Sequence, residues 1–180
     1  MMKKLFPLLA AIVLMTGFGT LPAQAEDLSL AEGKLTMTPP EAWEKKEPRT
    51  RIVESEFAVP PTEGESEAGR LTIMAAGGSL EQNIARWENQ FRGDGPVKAE
   101  IEEVEIGALK VHIVEINGTF LDSPRGPLGP TVPREGYRML GAIIEGEGIP
   151  VYYVKLTGPA ATLEQNEGMF KNFVRSVKLP

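Results

Sequence analysis

The 180-residue sequence contains no cysteine and one histidine, His112. Without cysteine there can be no disulfide, no thiolate metal site and no anchor through a lipidated cysteine. A lone histidine cannot supply the paired imidazoles of a zinc or copper centre, and no metal or other cofactor is expected. Serine hydrolase chemistry also lacks a setting, because no serine lies in a Gly-x-Ser-x-Gly turn and a triad would have only His112 to draw on. Positive charge is in deficit, with 19 Lys and Arg against 25 Asp and Glu. That balance repels nucleic-acid phosphates and anionic lipid surfaces, so nucleic acid is not an expected partner. Long apolar runs are scarce as well. The one present, Leu5 to Phe18, is interrupted by Pro7, Thr16 and Gly17, and is shorter than the roughly 20 residues of a membrane span.

What is present begins with that run. Lys3 and Lys4 precede it and Ala23-Gln24-Ala25 follows it, the order of a secretory signal peptide cleaved after Ala25. Residues 1–25 are therefore expected to be removed, leaving 26–180 as a single secreted or periplasmic domain with no membrane span. Loss of Lys3 and Lys4 deepens the acidic excess.

Along the domain, Glu26 to Gly33 reads as a polar lead and Lys34 to Met37 as a first strand stopped by Pro39-Pro40. Glu41 to Lys46 reads as a helical turn tucking Trp43 under the sheet. Arg51 to Val59 and Arg70 to Ala75 read as paired strands around an acidic loop. Ser79-Leu80-Glu81-Gln82 is a capping box, and Leu80, Ile84, Trp87 and Phe91 make one apolar stripe, with Gly93 placed as the helix stop. Val97 to Ile106 pairs with Leu109 to Phe120, and Tyr137 to Glu145 with Ile149 to Thr157. Gly158-Pro159 is expected to break the last strand before a helix capped at Thr162, with Gly168 allowing a close approach to the sheet. Ser176 to Leu179 closes as a strand-like tail. The later strands are apolar on both faces, so the sheet should be covered on both. The fold class is α+β: a mostly antiparallel sheet covered by two long helices.

The Pro39-Pro40-x-x-Trp43 turn after a first strand, the helix after the third strand, the Tyr152-Tyr153 strand and the terminal helix with Phe170, Phe173 and Ser176-Val177-Lys178-Leu179 together resemble the PsbP-like superfamily, with its Mog and DcrB types. The resemblance spans Gly33 to Leu179. It implies an α/β/α sandwich, often a secreted bacterial protein, with a non-enzymatic accessory or binding role, and it carries over no functional residue.

Candidate chemistry is sparse. His112 sits in a strand with Glu115 on the opposite face, and reads as a solvated or hydrogen-bonded histidine. Gly77-Gly78-Ser79 could cradle an anion at a helix start, but a tight turn needs the same residues and no phosphate-loop lysine follows. Glu100, Glu102, Glu103 and Glu105 diverge to both faces of a strand, which suits a protected sheet edge better than calcium. The segment Leu121 to Gly136 stands out. Pro124, Pro127, Pro130 and Pro133 recur at the polyproline period of three, and Arg125 and Arg134, with Arg138 just beyond, bring positive charge to an acidic chain. These three arginines are the expected binding residues for a protein or envelope component, against the alternative that the segment is only a stiff crossover spanning two strands. The alternatives are a small-ligand carrier with a pocket between helix and sheet, and an enzyme assembled from His112, Glu115 and Tyr152 or Tyr153. A polar-lined cavity would favour either alternative, whereas a filled core with an exposed basic patch would favour the binding module.

Overall fold

A computed structural model describes residues 26–124, 126 and 129–180; the expected leader, 1–25, lies outside the described residues. The chain opens with β1 (Leu28–Leu30) and β2 (Leu35–Met37), an antiparallel pair. The polar lead thus holds a strand, whose Leu28 and Leu30 are buried. Ala31, Glu32 and Gly33 join the pair through positive φ values of 51°, 56° and 88°, and the Tyr152 hydroxyl accepts the Ala31 N–H at 2.7 Å.

A second sheet carries the rest. Its members are β3 (Glu44–Lys46), β4 (Ser55–Val59), β5 (Gly69–Ala75), β6 (Phe91–Arg92), β7 (Glu100–Ile106), β8 (Leu109–Asp122), β9 (Val132–Glu145) and β10 (Tyr152–Pro159). The order is β3-β4-β5-β10-β9-β8-β6, with β7 also on β8, and every pairing is antiparallel. Glu44 to Lys46 is thus strand rather than helical turn. Trp43 is nonetheless buried, edge-on to Phe173 at 5.3 Å.

Two helices of unequal length lie on opposite faces. Helix α1 (Leu80–Glu88) starts at the expected capping box: Ser79 Oγ accepts from Gln82 N, and Gln82 Oε1 accepts from Ser79 N. It stops five residues before Gly93. Phe91 leaves the helix to pair with Phe120 in β6, where its ring is buried against the Phe120 ring at 5.2 Å. Helix α2 (Ala160–Arg175) begins two residues before Thr162, with Pro159 as N-cap. Gly158 and Pro159 stay in the ladder opposite Arg138 and Tyr137, so strand runs straight into helix. Thr162 is buried, and its hydroxyl accepts the Thr62 N–H at 3.3 Å instead of capping the helix. Gly168 faces open space rather than the sheet.

The two faces hold separate cores. On the α2 side, Leu163, Phe170, Phe173 and Val174 pack with Leu35 and Met37 on the inward residues of the central strands. The tail joins this side through reciprocal Thr36–Lys178 backbone bonds at 2.9 Å. On the α1 side, Ile84 and Trp87 pack on Val114, Ile116, Met139, Ile143 and Tyr153. Trp87 lies directly on Gly141, where a Cβ would meet the ring at 2.6 Å. Nine residues of α1 are only about 14 Å of helix, so this cover is partial. The expectation of two long covering helices gives way to one long helix with the β1–β2 pair on one face and a short helix on half of the other.

Candidate functional site

Alternation along each strand decides what the uncovered half presents. Three rows cross the α1 face. The first is Met74, Tyr153, Ile143 and His112; the second Thr72, Lys155, Gly141 and Val114; the third Arg70, Thr157, Met139 and Ile116. Helix α1 sits over the first row and the Gly141 end of the second, where Asn83 Nδ2 donates to the Tyr153 hydroxyl at 2.7 Å. The remainder forms a groove of about 660 Å³ that reaches from Arg49 and Ile52 across Arg70 and Lys155 to Phe120, Asp122, Arg134 and Tyr137. A smaller depression of about 350 Å³ adjoins it and shares Arg49 and Arg70.

Arg134 belongs to this groove because β9 carries a bulge. Tyr137 stands opposite Gly118 and Arg134 opposite Phe120, so three steps on β9 match two on β8. The extra residue is accommodated at Gly136, whose φ of +65° is in the left-handed region that glycine enters without strain. The alternation is reset, and Arg134 shares the α1 face with Tyr137. Four residues along the same strand, Arg138 faces α2. There it donates to Glu115 Oε1 at 2.8 Å and to Glu167 Oε2 at 2.7 Å.

Most groove charges are paired. Arg70 donates twice to the buried Glu56 carboxylate, at 2.8 Å each. Glu56 is held below its ordinary pKa: burial opposes ionisation, but the bonds from Arg70 and the Arg49 amide outweigh it. Arg134 Nη1 lies 3.2 Å from Glu67 and Nη2 lies 3.6 Å from Asp122, while its buried Nε finds no acceptor. Tyr137 donates to Glu67, and burial together with that carboxylate pushes its phenol up to about 12. Lys155 differs from the rest. Its ammonium bonds to the neutral Gln90 side chain and stands 5.2 Å over the Phe120 ring. No carboxylate among the described residues lies within ion-pair distance of it. Burial first, and then the nearby Arg70 charge, bring its pKa down to about 7.

Of the three expected arginines, the structure sets Arg134 in the groove and Arg138 on the far face, and Arg125 lies outside the described residues. The expected polyproline loop, 121–136, is strand at both ends. Leu121 pairs with Pro133 and Asp122 with Val132, leaving only 123–131 as the connection. The enzyme constellation does not assemble. His112 Nε2 sits 3.0 Å from Glu145 and its Nδ1 3.6 Å from Glu103, while Glu115 is on the other face with Arg138. Ile143 separates His112 from Tyr153, and the Tyr152 hydroxyl, on the α2 side, donates to Glu54 at 3.0 Å. The four glutamates lie on β7, which among the described residues pairs only with β8. Gly77, Gly78 and Ser79 form a turn pinned by Asn83, whose amide donates to the Gly77 and Ser79 carbonyls. Lys155, Arg70 and Phe120 are the groove residues that the sequence reading passed over. The available signal was a single lysine inside Tyr-Tyr-Val-Lys-Leu, a strand otherwise apolar on both faces.

No family model matches the chain, and no curated protein matches its sequence. Solved structures do match. The solution structure of cyanobacterial PsbP (CyanoP) from Synechocystis superposes with a TM-score of 0.53 at 12% identity, over 91% of this chain and 96% of that one. PA94 from Pseudomonas aeruginosa, a protein of unknown function described as a putative regulator, gives 0.47 at 16% identity over 86% and 96% of the two chains. The Saccharomyces cerevisiae Ran-binding protein Mog1p gives 0.47 at 10% identity over 86% and 94%. The chain has the PsbP-like fold: a large antiparallel sheet with helices on its two faces.

Proposed function

We propose that this chain is an exported, non-enzymatic accessory domain that binds through the uncovered half of the sheet on the α1 side. The observation that carries the reading is the groove itself. In an acidic chain, Arg70, Arg134 and Lys155 converge on one concavity of about 660 Å³ beside two filled cores. That volume is in the range of ligand clefts, roughly 300–1,000 Å³. Among the described residues no helix is long and apolar enough to cross a membrane, and the leader-like segment 1–25 supports export to the periplasm or beyond. The partner is a protein or other envelope component, and Arg134 borders its seat, Arg138 being committed to Glu115 and Glu167.

The test is capture of envelope components on the immobilised protein, compared with two charge-reversed forms. The double change Arg125→Glu and Arg134→Glu should abolish capture, whereas Arg175→Glu, on the exposed side of α2, should leave it unchanged. Equal capture by all three forms would place the binding surface elsewhere. Export is checked separately, by N-terminal sequencing of the protein recovered outside the cytoplasm. Its first residue should be Glu26, and an exported form that still carries residues of the Leu5–Phe18 run would show that the leader is retained.

A further inference from the structure

Among the described residues, the groove holds one cation with no anion of its own. Arg70 is committed to Glu56 through two bonds, and Arg134 faces Glu67 and Asp122. Lys155 has only the neutral Gln90 amide and the face of Phe120. Removing an ammonium from water without a counter-charge is costly, and buried charges are ordinarily paired. Here the counter-charge is missing although the groove is open to receive one. Apolar surface lies in the same concavity: Ile52, the most exposed large hydrophobic residue among those described, at 68%, with Met74, Leu121 and Phe120. A single free cation beside apolar walls matches a ligand with one negative charge and an apolar body. A phosphate dianion would bring a second charge against Asp122 and Glu67, with both arginines already engaged.

We infer that the groove binds an organic monocarboxylate with an apolar body, its carboxylate on the Lys155 ammonium and its body against Phe120 and Ile52. This rests on the groove being the binding surface, and it names the chemistry the groove takes. The ligand would complete an ion pair that the fold leaves half made. Binding is then coupled to protonation. With free Lys155 near 7, the binding-competent ammonium thins out above that pH. The other charged or titratable groups around it are Arg70, Arg134, Glu67, Asp122, Glu56, whose carboxyl is held below its ordinary value, and Tyr137, whose phenol is pushed up to about 12. Affinity should therefore fall about tenfold per pH unit above about 7.

Calorimetric titration of the purified protein with octanoate, with octanamide as the neutral isostere, reads this directly. Octanoate should bind, octanamide should not, and the affinity should drop between about pH 7 and about pH 9 as stated. Lys155→Met should weaken octanoate binding by about tenfold or more, as loss of a charge-assisted bond does. Lys155→Arg should keep binding but lose the pH dependence, because a guanidinium stays charged. An acetylated dipeptide ending in a leucine carboxylate, set against its amide, tells a chain terminus from a free acid as the source. Failure of both acids to bind, equal binding of octanamide, or unchanged binding by Lys155→Met overturns the inference. If the acids fail while Arg125→Glu with Arg134→Glu still abolishes envelope capture, the groove stands as the binding surface and only the carboxylate is wrong. If octanoate binds as described and capture is unaffected, the partner reading falls and the carboxylate site remains.

Discussion

Lys155 carries a measurable consequence for stability at the scale of the single residue. Its folded pKa, near 7, lies below the ordinary lysine value of 10.5. Below about 7 the ammonium is present in folded and unfolded chains alike, and the folded one bears the full burial cost. Between about 7 and about 10 the unfolded chain holds more protons, so stability rises with pH, and above that window the cost is gone. Denaturant unfolding across this range should show that rise in the unliganded protein. Lys155→Met should be more stable at neutral pH and flat across the window; an identical slope in the variant would place the titration elsewhere. The sequence marks the lysine only as the one charge inside Tyr-Tyr-Val-Lys-Leu, and strand alternation does not say whether that charge is solvated or buried. What desolvates it is Gln90 and Phe120, 65 and 35 positions away, and no local pattern records that meeting. Trp43, Trp87 and Phe170 could be read as core because burial of large apolar side chains needs no knowledge of partners.

At the scale of the element, α1 shows how much of a helix its own residues specify. The capping box fixed the start, since Ser79 and Gln82 satisfy each other's amides locally. The end was misplaced because Phe91 fits a helical stripe and a strand equally well, and pairing with β8 decided between them. The same competition moved the start of α2, where the ladder held Gly158 and Pro159 in β10. The most consequential contact of α1 is Trp87 on Gly141, with the ring edge-on to Tyr153 at 6.1 Å. Trp87→Ala should cost about 3–5 kcal/mol in denaturant unfolding, the usual size of a large aromatic truncation. A cost under about 1 kcal/mol would mean that the short helix is not held through this residue.

For the whole molecule the open matter is whether two cores on opposite faces behave as one. Each contains one tryptophan, Trp43 on the α2 side and Trp87 on the α1 side. Single-tryptophan forms made with Trp43→Phe or Trp87→Phe therefore report each layer alone. Their fluorescence transitions, and the circular dichroism of the sheet, should coincide in one cooperative unfolding that reductant does not alter. Separated transitions would mean that the layers melt independently. On the acid side, Glu56, Glu115 and Glu167 are held below their ordinary pKa of 4.5 by arginine and lysine partners. Depressed carboxylates give stability that is complete above the unfolded value and fades as pH falls through the folded ones, so this coincident transition should weaken below about pH 4.5. The extra residue of β9 also has a meaning at this scale. In an unbroken ladder the two sides of a strand are geared together, and any insertion moves both. The slack taken up at Gly136 works as insulation between them. The ion pairs that clamp Arg138 to α2 and the cation-lined mouth beyond Arg134 are wired through one strand yet are free to vary separately.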